Sequence, residues 1–213
     1  ETHQAICHEL LFRISLFLPT VLLPASIAKA HPYDETLVYA DYVWLTQLAR
    51  RYRFGNMPQV LLRCRTHESQ LHVVQGAAFK QDERRARPGY FQSLFPEATS
   101  NDLRIVSILT EKKPFASLAD LRRAGDWLLR LGDTPDVFLR RRMTDRWQYA
   151  CQQSAGLGGA CYRLYRQTAA AFDVAPPRAW KLGVSCVLRL SPGSRREAWA
   201  HKAWHTLRRH ETA

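Results

Sequence analysis

Residues 10–28, LLFRISLFLPTVLLPASIA, form a long apolar run that a water-soluble fold has to bury. A membrane-spanning helix needs roughly 20 uninterrupted apolar residues. Arg13 puts a charge inside this run, and Pro19 and Pro24 break its helical continuity. The pattern reads better as a helix end running into a short buried strand, with prolines at the strand edges. Residues 5–17 carry the helical rhythm, and residues 18–23, LPTVLL, are short and β-prone.

The remaining punctuation divides the chain in two. His31-Pro32-Tyr33-Asp34-Glu35 predicts a turn, because Pro and Asp supply the bend. Residues 40–52 predict a helix with Val43, Trp44 and Leu48 on one face and Arg50 and Arg51 near its C-terminal end. Asn56-Met57-Pro58 marks a turn, and residues 59–65, QVLLRCR, predict a second strand. After about residue 75 the character becomes helical. Ser100 or Asn101 can cap a helix over 102–112. Ser117 with Asp120 resembles a capping box for a helix that stops at Gly132. Pro135 suits the start of another helix, running to about Ser154. Further helices are expected over about 160–172 and from Ser194 to about Arg209.

The formal net charge of +12 is unevenly spread. Residues 1–75 hold 7 Lys and Arg against 6 Asp and Glu, and residues 76–213 hold 24 against 13. The second part therefore carries a positive field that attracts anionic lipid or phosphorylated ligands, or is simply a solvated Arg-rich helical surface. Nucleic acid is not the expected partner, because no RNP, KH, zinc-finger or helix-turn-helix signature accompanies the charge. The five cysteines include no Cys-x-x-Cys pair. Widely spaced free thiols fit a reducing, cytoplasmic setting.

Five short motifs follow one another over residues 18–72. They are Pro19-Thr20-Val21, Tyr33-Asp34-Glu35, Asp41-Tyr42 opening a helix that ends Leu48-Ala49-Arg50-Arg51, Asn56-x-Pro58 before Val60-Leu61-Leu62, and Arg65-Thr66-His67. In this order and spacing they resemble the acceptor-side half of family-2 glycosyltransferases of the GT-A fold. The resemblance implies an α/β fold: an incomplete GT-A-type mixed sheet over residues 1–75, followed by a basic, mainly α-helical extension over 76–213. It also implies that the chain is the C-terminal portion of a longer inverting transferase. Such an enzyme moves a sugar from a nucleotide-sugar donor to a glycan or lipid-linked hydroxyl acceptor. The expected setting is cytoplasmic, at or near the inner face of a membrane.

The resemblance assigns roles residue by residue. Asp41 falls where the family carries its base. A hydroxyl is a poor nucleophile at neutral pH, and a carboxylate within hydrogen-bond reach takes its proton as the new bond forms. His67 falls where a histidine can help hold the divalent metal, Mg or Mn, that neutralises the diphosphate leaving group. Asp34 and Arg65 are candidate acceptor or phosphate contacts. Two departures stand out. Ala40 occupies the place of the acidic motif's Glu, and no Asp-x-Asp, the family's metal-binding loop, occurs anywhere in the chain. These departures leave an alternative open: a non-catalytic, transferase-like interaction module with a basic tail that binds an anionic membrane surface or a partner.

Overall fold

The structure is a computed structural model, and it describes residues 2–57, 59–60, 62–65, 68, 74–172, 179–194 and 196. Among these residues it is all-helical, with nine α-helices and no strand. The helices are α1 (His3–Leu10), α2 (Ala25–Ala30), α3 (Ala40–Leu48), α4 (Gly76–Leu94), α5 (Ser100–Thr110), α6 (Leu118–Gly132), α7 (Val137–Gln153), α8 (Gly159–Ala171) and α9 (Ala179–Val187). Packing divides the chain within α5 into two compact units, residues 1–103 and 104–213. Helix α4 packs on α3 and so belongs to the first unit.

Among the described residues the expected α/β mixed sheet is absent, and the reason is local to the two segments read as strands. Leu18–Thr20 is a single 3₁₀ turn, and the chain beyond it is extended at Val21 without a ladder partner. The described part of 59–65 is likewise irregular, with Val60 90% and Leu22 96% exposed. A β-strand is stable only when its N–H and C=O groups are paired by a neighbouring strand, and an isolated apolar run gains nothing from extension alone. Here the two runs meet across an apolar groove of about 570 Å³, lined by Val21, Leu22, Leu23, Val60 and Leu62 among others.

Three helices hold the first unit together. Ile6 and Leu10 of α1, Tyr42 and Leu45 of α3, and Tyr90 and Phe91 of α4 are all essentially without solvent contact. Two buried phenols then tie these helices to the backbone of α1. Tyr42 Oη donates to the Leu10 carbonyl at 3.0 Å, and Tyr90 Oη donates to the Cys7 carbonyl at 3.0 Å.

The second unit is a helical bundle; its Ser117 cap is as expected, whereas the helix expected to start at Pro135 is capped by Asp136 and starts at Val137. Ser117 caps α6, accepting from the Asp120 N–H at 3.1 Å, and α6 ends at Gly132. Asp136 caps α7, accepting from the Leu139 N–H at 3.0 Å. A methyl group on Gly125 of α6 would stand 3.2 Å from the Trp147 ring of α7 and 3.2 Å from Thr168 of α8, so glycine lets these helices approach closely. Trp147 itself is fully buried and donates its indole N–H to the Tyr165 carbonyl at 3.2 Å. Cys151, Cys161 and Cys186 are free and buried in this unit, Cys7 is free and buried in the first, and Cys64 is exposed. The helix expected from Ser194 to Arg209 falls almost wholly outside the described residues.

Trp147→Ala removes the largest side chain at the centre of this bundle and should cost about 3–5 kcal/mol. Urea unfolding followed by far-UV circular dichroism measures it. A midpoint close to the parent's would show that the bundle does not depend on that ring.

Candidate functional site

The N-terminal end of α3 gathers the sequence-predicted base and a set of aromatic rings. Tyr39 stands at the N-cap position but its side chain makes no capping bond. The cap comes instead from α4. Asp82, buried, accepts from the N–H groups of Val38 and Tyr39, each at 2.9 Å. This carboxylate satisfies donors that would otherwise be orphaned at a helix start, and its charge lies at the positive end of the helix dipole.

Asp41 sits in the first turn of α3. It is half-buried, and its Oδ1 accepts from the Tyr42 N–H at 2.9 Å. Burial pushes its carboxyl above the ordinary aspartate range, and the backbone hydrogen bonds oppose that shift only in part. Beside it, Tyr33 stacks on Trp44 with ring centroids 4.7 Å apart and planes 24° from parallel. The Tyr33 hydroxyl is buried and makes no hydrogen bond to a described residue. Burial and then the Asp41 charge push this phenol up to about 12. Tyr39 is pushed up as well, by burial first and then by Glu83 and Asp41. Its ring lies between those of Tyr42, at 5.1 Å, and Phe79, at 4.5 Å. The Arg87 guanidinium stands over the Tyr42 ring, 5.9 Å from its centre. Together these groups make a largely buried aromatic cluster, with Tyr33 and Tyr39 partly exposed and one half-desolvated carboxylate beside it.

The other predicted residues are placed differently. Asp34 is exposed and engaged by its own turn, with Oδ1 accepting from the Thr36 hydroxyl at 2.6 Å and the Thr36 N–H at 3.0 Å. Those bonds hold its carboxyl below the usual range. Arg65 is exposed in the irregular segment, and Cys64 beside it is exposed too. His67 lies outside the described residues. Among the described residues no three His, Cys, Asp or Glu side chains come together as a metal donor set. The apolar groove is lined by Leu45 and Leu48, farther along α3, and Asp41 is not among its lining residues.

Reading along the chain misses Asp82 and the pairing of Tyr33 with Trp44. Asp82 acts across more than 40 residues, and no local pattern signals that. The Tyr33–Trp44 stack has a weak signal, since both aromatics flank the same turn and helix start. No family model, no curated protein and no solved structure matches the chain.

Two outcomes follow from this geometry. Asp82→Ala strands two N–H groups and should cost about 1–3 kcal/mol, while Asp82→Asn, which keeps one acceptor, should cost less. Equal losses in denaturant titration would show that the capping bonds are not what Asp82 contributes. For Asp41 the folded-state pKa is raised, so the folded protein holds its proton longer than the unfolded chain. Its contribution to stability is therefore greatest below the ordinary aspartate pKa of about 3.9 and is lost as pH climbs through the raised value. Asp41→Asn should gain stability relative to the parent on going from acidic to neutral pH. A difference that stays flat across that window would mean the carboxylate is not desolvated.

Proposed function

We propose that the chain contributes the acceptor-binding side of an inverting sugar transfer, with Asp41 as the base. One observation carries the reading: a half-buried carboxylate with a raised pKa, set beside the unpartnered Tyr33 hydroxyl and the Tyr33–Trp44 stack. Aromatic faces suit the apolar C–H faces of a sugar ring. The carboxylate suits a hydroxyl that must lose its proton, and a pKa raised above the usual aspartate range makes its ionised form a better base. The ordered motifs from Pro19 to His67 supply the likeness to family-2 transferases. The nucleotide-sugar donor and its metal would be held by residues other than those described.

In the proposed step the acceptor hydroxyl gives its proton to Asp41 as its oxygen forms a bond to the anomeric carbon. The bond from that carbon to the diphosphate oxygen breaks, and the diphosphate leaves. Ala40, standing where the family carries Glu, favours the second reading, a non-catalytic, transferase-like interaction module that keeps the fold without turning an acceptor over.

Two measurements separate the readings. Saturation-transfer NMR with a panel of glycans on the 213-residue chain should show sugar contact that Tyr33→Ala removes. In the complete enzyme, with the donor-binding portion present, Asp41→Asn should lower turnover by about 10²–10⁴-fold with donor affinity preserved. Turnover at the parent rate in that variant rejects Asp41 as the base. Sugar contact with no turnover in the parent leaves the binding module.

A further inference from the structure

Helix α9 is apolar on both of its sides. Leu182 and Cys186 are buried in the second unit, and Gly183 faces Tyr162 of α8, where an added methyl group would meet the ring at 3.2 Å. The opposite face is exposed and equally apolar: Trp180 65%, Val184 49%, Val187 73%, and Leu188 53% just beyond the last turn. At 100° per residue these four fall within about a third of the helix circumference. A helix that is apolar all round is normally covered all round, so a contiguous exposed stripe of this kind marks an interaction surface.

Charge indicates what covers it. No Asp or Glu occurs between Asp173 and Glu197, whereas Arg178, Lys181, Arg189, Arg195 and Arg196 do. The Lys181 ammonium lies 5.6 Å from the centre of the Trp180 ring, at the edge of the stripe. Residues 104–213 as a whole hold 20 Lys and Arg against 9 Asp and Glu. An apolar stripe led by Trp and bordered by cations is what an anionic lipid surface complements: side chains enter the acyl boundary and cations meet the headgroups. A second copy is a poor occupant. It would bring like charges face to face, and four side chains on one short helix fall well short of the roughly 1,200 Å² of a stable protein interface. A nucleic acid would match the cations and leave the stripe in water.

We infer that the exposed face of α9, Trp180, Val184, Val187 and Leu188, docks the protein peripherally on an anionic membrane surface. The inference is independent of the role given to Asp41. The test uses the full chain with vesicles of neutral phosphatidylcholine, alone or mixed with an anionic phospholipid. Binding should rise with the anionic fraction and fall with added salt. Brominated acyl chains should quench tryptophan emission, and Trp180→Phe should lose most of that quenching while keeping its partition. Val184→Glu with Val187→Glu should weaken partition by about tenfold or more at unchanged circular dichroism. Three results would each overturn the inference. One is equal binding to neutral and anionic vesicles. Another is quenching that survives in Trp180→Phe. The third is sedimentation showing a dimer of the parent that Val187→Glu dissociates.

Discussion

The Asp82 carboxylate on the Val38 and Tyr39 N–H groups is the interaction on which the first unit's architecture turns. Helix α3 is only nine residues long and has no side-chain cap of its own. A helix that short is marginal in water unless tertiary contacts hold it. The clamp from α4 fixes where α3 starts, and with it the orientation of the first turn that carries Asp41. The same α4 then supplies Arg87 against the Tyr42 ring and Tyr90 against the backbone of α1. Position 41 is thus set by a residue remote in sequence, and the chemistry available to its carboxylate follows from that placement.

The two units differ in their balance of charge. Residues 76–103, which complete the first unit, hold four cationic and four anionic residues, so the positive excess begins only at Arg104. Both units hold specific ion pairs, such as Glu9 with Arg13 at 2.8 Å in the first and Arg104 with Asp120 at 2.6 Å in the second. In the second unit the core is built from Leu121, Leu128, Leu131, Met143 and Trp147. The outer faces of α6 and α7 carry arginines such as Arg122 and Arg141. A field of that kind guides the molecule toward an anionic partner over about a Debye length, but it does not choose a face. In the proposed docking the choice of face falls to the apolar side chains.

How much of this could be read from the residues alone depends on how local each cause is. The start of α6 was legible because a cap acts within one turn, as Ser117 does, and Pro135 marked the start of α7 to within two residues. Helix α4 was not legible. It is strongly polar and holds Pro88 in its interior, which reads as a break, and its buried Tyr90 and Phe91 give little periodicity. The two strands failed for the opposite reason. Their apolar, β-branched content was correctly seen, but a ladder needs a partner strand, and the described residues contain none. Helix α9 escaped because Trp180, Val184 and Val187 face away from Leu182 and Cys186, so no polar side remains to reveal a rhythm. At the candidate site Asp41 was singled out through its motif neighbours. Its desolvation and the orphaned Tyr33 hydroxyl arise from packing.

Ala40 gives the site its particular electrostatics. A second carboxylate at that position would raise the pKa of Asp41 by like-charge repulsion, at the cost of holding two anions at a single helix start. With Ala40 there, the elevation rests mainly on burial. Desolvation and like-charge repulsion respond differently to an incoming ligand. A neutral sugar hydroxyl donating to Asp41 replaces water the carboxylate has already lost, and it leaves no neighbouring anion unbalanced. The buried Tyr33 hydroxyl would gain a partner in the same event, and recovering a hydrogen bond for an orphaned buried group is worth more than making one already satisfied in water. In the proposed reaction, then, acceptor binding and proton removal draw on one feature: polar groups that folding has stripped of solvent and left incompletely paired.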